Sequence, residues 1–79
     1  MLKLKIVSPE RTEFEGEVES VKVPGTKGSF EILTAHAPII SSLTEGEVEY
    51  DGKSLPITGG FVEVQKDVVS MCVEKAIAK

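Results

Sequence analysis

Gly46-Glu47-Val48-Glu49-Tyr50-Asp51-Gly52-Lys53-Ser54-Leu55-Pro56-Ile57 decides the structural class. Val48 and Tyr50 alternate with Glu47, Glu49 and Asp51. Successive side chains of an extended chain point to opposite faces, so this spacing puts the apolar groups on one side and the carboxylates on the other. Asp51-Gly52 accepts the positive φ angles of a two-residue turn, which predicts a hairpin here. Pro56 lacks a ladder donor, so its strand is predicted to run at an edge or to carry a bulge.

The same period of two extends in both directions. Leu2, Leu4 and Ile6 alternate with Lys3 and Lys5; Val21 and Val23 flank Lys22. Val62 and Val64 alternate with Glu63 and Gln65, and Val69, Met71 and Val73 with Ser70 and Cys72. Turn residues recur at Ser8-Pro9, Gly16, Pro24-Gly25, Gly28, Gly46, Asp51-Gly52, Gly59-Gly60 and Lys66-Asp67. Short strands punctuated in this way predict a sandwich or small barrel of antiparallel strands. A second hairpin is expected at Gln65-Lys66-Asp67. Thr34-Ala35-His36-Ala37 is cut to a turn by Pro38, and the tail from Val73 to Lys79 is too short for a stable isolated helix. The expectation is one all-β domain over residues 1–79.

With 79 residues, such a domain buries only part of its surface and gains from a partner. Nine Lys and Arg against thirteen Asp and Glu give a net charge of −4, which argues against nucleic acid or an anionic membrane surface as the main partner. The four aromatics, Phe14, Phe30, Tyr50 and Phe61, lack the clustering of a base-stacking platform. The single Cys72 can form neither an internal disulfide nor a zinc site; flanked by apolar residues, it reads as a small strand side chain in a reducing compartment. The opening residues alternate apolar with charged and meet Pro9, unlike a signal peptide. No apolar run is long enough to span a bilayer.

Catalytic chemistry has few parts to work with. His36 is the one histidine, and neither Ser41, Ser42 nor Cys72 sits in a nucleophile-elbow or thiol-protease setting. Glu13, Glu15, Glu17 and Glu19 read as a solvated strand face that discourages edge-to-edge association. Pro24-Gly25-Thr26-Lys27-Gly28-Ser29 has the wrong spacing for a phosphate loop and is read as a turn. No catalytic, cofactor-binding or metal-binding residue is expected. A biotinyl or lipoyl-like carrier, or another β-sandwich binding module, is the alternative reading, with Lys53 after the Asp51-Gly52 turn as the lysine to be modified.

The stretch Val21-Lys22-Val23-Pro24-Gly25-Thr26-Lys27-Gly28-Ser29-Phe30-Glu31-Ile32-Leu33-Thr34-Ala35-His36-Ala37-Pro38-Ile39-Ile40 resembles the signature of the epsilon subunit family of F-type ATP synthases. Leu4-Lys5-Ile6-Val7-Ser8-Pro9-Glu10 before it is also similar to that family, as are Ser42-Leu43-Thr44-Glu45-Gly46-Glu47-Val48, Gly59-Gly60-Phe61-Val62-Glu63-Val64 and Val68-Val69-Ser70 after it. The resemblance keeps order and spacing over essentially the whole chain. It departs at Glu31, where a glycine is common, and at Thr34-Ala35, where proline and glycine are common before the histidine.

The resemblance implies an antiparallel β-sandwich of about ten short strands, acting as a non-catalytic part of the rotating central stalk. The implied partners are the gamma subunit and the c-ring, with the alpha and beta subunits reached indirectly and the membrane only through partners. It places the gamma interface at Ser8, His36, Ile39, Ile40 and Ser41. It places the c-ring interface at Thr26, Lys27, Gly28, Ser29 and Phe30, with Lys27 as the charge facing c-subunit loops. In a strand, one of Ile39 and Ile40 is expected to be core. Many members carry a C-terminal helical hairpin, and this sequence stops about where it would begin. With no transit sequence seen, the expected location is the cytoplasmic face of a bacterial inner membrane.

Overall fold

The computed structural model of the chain describes residues 1–75. These form eight strands: β1 Leu2–Val7, β2 Thr12–Val18, β3 Ser20–Gly25, β4 Gly28–Leu33, β5 Ile39–Leu43, β6 Gly46–Tyr50, β7 Lys53–Gln65 and β8 Val68–Lys75. Val73, Glu74 and Lys75 thus finish a strand, and the rest of the expected tail lies outside the described residues. The all-β expectation holds, with eight strands among the described residues in place of about ten.

Three glycines read as turns lie inside strands. Gly16 lies inside β2, opposite Leu4. Gly59 and Gly60 lie inside the 13-residue β7, which continues through them. Residues 53–57 of β7 pair with β6, residues 60–64 pair with β5, and Ile57 and residues 59–65 pair with β8. The register shifts between Ile57 and Gly59, so the glycines form a corner at which one strand passes from one layer to the other. Gly60 sits at φ 149°, in backbone space that side chains rarely enter.

One layer runs β2-β1-β8-β7-β5, and the other is built from β4, β3, β6 and the first half of β7. A single pairing of Gly25 with Leu43 joins β3 to β5. Among the described residues every pairing is antiparallel except β1 with β8, which is parallel and corrects the wholly antiparallel expectation. The alternating residues meet between the layers: Leu2, Leu4, Ile6, Val21, Val23, Ile32, Val48, Ile57, Val62, Val64, Val69, Met71 and Val73 are all buried. Phe14 closes one margin of this core, its ring 4.7 Å from that of Tyr50.

The hairpins fall where the spacing predicts them. Asp51 and Gly52 take φ 49° and 72°, and Lys66 and Asp67 take 50° and 63°, so both turns have two left-handed central residues. Pro56 pairs only with Glu47 of β6, on an edge segment of β7. Residues 34 and 35 form a turn between β4 and β5.

Candidate functional site

The outward face of the β2-β1-β8-β7-β5 layer follows from the same alternation that builds the core. Because Val62 and Val64 are buried, Phe61 on β7 must point away, and it is 62% exposed. Ile40 on β5 is 75% exposed, whereas Ile39 packs against the core. Across the strands, Val7 pairs with Cys72, Cys72 with Phe61, and Phe61 with Ser42. Ile40 pairs with Glu63 and is the diagonal neighbour of Phe61, within reach of a large ring. Val7, Cys72, Phe61 and Ile40 thus form an apolar patch across β1, β8, β7 and β5. Farther along, Glu15 faces Lys5 and Glu17 faces Lys3, so these carboxylates lie opposite cations and do not stand as an isolated acidic row.

The expected gamma-facing residues spread around this face in different ways. Ile40 lies on it. Ser41 is half-buried on the inner side of β5 and donates to the Ser42 carbonyl at 3.2 Å. Ser8 borders the face in a trough lined also by Pro9, Phe61 and Cys72. His36 lies in the β4–β5 loop, where its backbone N–H donates to Leu33 O at 3.1 Å. Its Nδ1 donates to the Ala37 carbonyl at 2.8 Å, which leaves Nε2 as the ring's other nitrogen.

The expected c-ring residues gather at the β3–β4 turn. Thr26, Lys27, Gly28 and Ser29 are exposed, and Gly28 takes φ 125°. Thr26 pins this turn to β5: its N–H donates to Ser42 O at 3.1 Å, and the two hydroxyls lie 3.0 Å apart. Thr44 N–H donates to Pro24 O at 2.8 Å. Phe30 turns inward against the core, its ring centroid 6.4 Å from that of His36. Ser42 therefore joins the turn to the apolar face, so the two expected interfaces are continuous. Phe61, Val7 and Cys72 were absent from the expected set, although the phase of β7 already assigns Phe61 to the side of Glu63 and Gln65.

Beside Ser8 lies the one carboxylate of the acidic run that turns inward. The β1–β2 register shifts after Ile6, leaving Glu13 as the extra residue of a bulge, its side chain only 5% exposed. Ser8 Oγ donates to Glu13 Oε2 at 2.8 Å, and Arg11 Nε and Lys75 Nζ each approach the carboxylate to 3.4 Å. The Ser8 hydrogen bond holds the Glu13 carboxyl below its ordinary range, with the two cations assisting and burial opposing. A lowered carboxyl pKa stabilises the fold above the unfolded-chain value of about 4.3, and this stabilisation is lost as pH falls through the folded value. Melting temperatures of wild type and Glu13→Gln, measured between about pH 6 and pH 3, should therefore differ most at the upper end and converge towards the lower.

Lys53, the alternative carrier lysine, lies with its Nζ 5.7 Å over the Phe14 ring, a cation–π contact.

Residues 1–79 match the family described as ATP synthase, Delta/Epsilon chain, beta-sandwich domain. The ATP synthase epsilon chain of Caulobacter vibrioides is 40% identical over 80 residues, covering 96% of this chain and 93% of the relative. That of Leptospira borgpetersenii is 37% identical over 82 residues, covering 99% of this chain but 65% of the relative, so the chain spans about two thirds of such longer forms. Among solved structures, a chain of the Euglena gracilis mitochondrial ATP synthase (OSCP/F1/c-ring, rotational state 1) superposes with a TM-score of 0.81 at 26% identity, over 96% of this chain and 52% of that one. A chain of the Tetrahymena thermophila mitochondrial ATP synthase central stalk/c-ring shares the fold, with a TM-score of 0.80 at 15% identity, over 94% of this chain and 63% of that one. The chain belongs to the delta/epsilon-chain β-sandwich family of ATP synthases.

Proposed function

We propose that this chain is a non-catalytic rotor part of an F-type ATP synthase, linking the gamma subunit to the c-ring and so coupling ion translocation to ATP synthesis. The observation that carries the reading is the apolar patch of Phe61, Ile40, Val7 and Cys72, presented by a rigid sheet and continuous with the polar Thr26-Lys27 turn. An exposed apolar patch on a small domain marks a surface that a partner covers. Gamma binds this patch, with Ser8 at its rim, Ile39 and Ser41 supporting Ile40 from the inner side of β5, and His36 contributing from the β4–β5 loop that leads into β5. The c-ring takes the turn of Thr26, Lys27, Gly28 and Ser29, which Phe30 anchors to the core. Torque passes between the two through interstrand hydrogen bonds and close packing, which yield little under load. The chain works at the cytoplasmic face of the inner membrane, held there by its partners.

Size-exclusion chromatography of the chain with the gamma subunit of the same organism, at near-physiological salt, tests the reading. A stable one-to-one complex is expected. Separate elution of two folded proteins would overturn it.

A further inference from the structure

The loop that carries His36 contains a conformation its sequence does not favour. Ala35 sits at φ 67°, in the left-handed region that residues with a Cβ seldom enter. Its N–H donates to Asp67 Oδ1 at 2.7 Å, across 32 positions of chain. Among the described residues this is the one hydrogen bond that ties residues 34–38 to an element other than the preceding β4. Asp67 is suited to the task, because aspartate tolerates the left-handed conformation, here φ 63°, that the β7–β8 turn requires. Its carbonyl also accepts from Lys3 N–H at 2.8 Å, so the residue joins the hairpin, the start of β1 and the β4–β5 loop. An ionised acceptor makes the Ala35 bond stronger than a neutral one would be.

We propose that Asp67 is the positioning residue of the His36 loop: its carboxylate holds Ala35 left-handed and so presets His36, Ala37 and Pro38 for the gamma subunit. The identity of the partner rests on the function proposed above. Without the carboxylate the loop occupies its binding conformation for a smaller fraction of the time, and apparent affinity falls by that fraction.

Asp67→Gly removes the carboxylate while keeping the turn's left-handed freedom and the carbonyl that Lys3 uses; Asp67→Asn keeps a side-chain acceptor oxygen. Two readouts are needed, the hydrogen-exchange rate of the Ala35 amide by NMR and the dissociation constant for gamma. Asp67→Gly should speed exchange at Ala35 and weaken gamma binding, each by about tenfold. Asp67→Asn should restore most of both. Unchanged exchange at Ala35 in Asp67→Gly would overturn the proposal, as would faster exchange with wild-type affinity. If the wild-type chain itself fails to bind gamma, the function reading falls, and the exchange measurement alone decides whether Asp67 holds the loop.

Discussion

Gly60→Ala is expected to destabilise the domain by about 3 kcal/mol or more, whereas Gly59→Ala one position earlier should change stability by less than about 1 kcal/mol. A Cβ on Gly60 collides with the Cys72 carbonyl oxygen and lies 2.9 Å from Val73 Cα, both in the backbone of β8. Backbone in the centre of a sheet cannot give way as a flexible side chain does, and φ 149° adds conformational strain for any residue with a Cβ. A Cβ on Gly59 meets the Leu43 carbonyl at 3.6 Å and the Glu74 carboxylate at 4.0 Å, both ordinary van der Waals contacts. A domain of this size has a total stability of roughly 4–12 kcal/mol, so the first substitution removes a large share of it. The melting temperature should fall by roughly 12–24 °C. Equal effects at the two glycines, measured by thermal and urea unfolding, would mean that β7 does not turn its corner at Gly60.

The second large effect is on assembly. Phe61→Glu should weaken the complex with gamma by about 100-fold or more while leaving the melting temperature of the isolated chain nearly unchanged. Phe61 is 62% exposed in the free chain, so little folding energy depends on it. Buried under a partner, an aromatic at the centre of an apolar patch is the residue type on which binding energy concentrates, at about 2 kcal/mol or more. Glutamate would also bring an unpaired carboxylate into the contact, beside Glu63 on the same strand. Glu49→Lys, on the outward face of the other layer, is the control and should shift affinity by no more than about twofold. The two substitutions are compared by isothermal titration against purified gamma.

These predictions rest on features that the sequence displays unequally. Period-two alternation identified every buried strand position of β1, β3, β6 and β8 quoted from it; Asp51-Gly52 is a turn its residue types favour, whereas the Lys66-Asp67 turn is legible from its place between two alternating stretches, since Lys66 takes φ 50° with no preference for it. Gly59-Gly60 was ambiguous, because a glycine pair serves both a turn and a strand corner with close backbone approach. Only the packing of β8 against β7 tells the two apart. The parallel pairing of β1 with β8 joins the two ends of the chain and leaves no local mark. Glu13 illustrates a third case. It reads as one of four similar carboxylates, and the bulge that turns it inward depends on where β1 stops pairing. At the site, the choice between Ile39 and Ile40 follows from the alternation of β5. The bond from Ala35 to Asp67 does not, since it links two turns that only the folded topology brings together.

The most direct test of the account is site-specific photocrosslinking in the assembled ATP synthase of the source organism, with a photoreactive amino acid placed in turn at positions 40, 27 and 49. A role between gamma and the c-ring predicts adducts to gamma from position 40, adducts to the c subunit from position 27, and neither from position 49. Adducts to gamma from position 49, or none from position 40 in an intact complex, would contradict it.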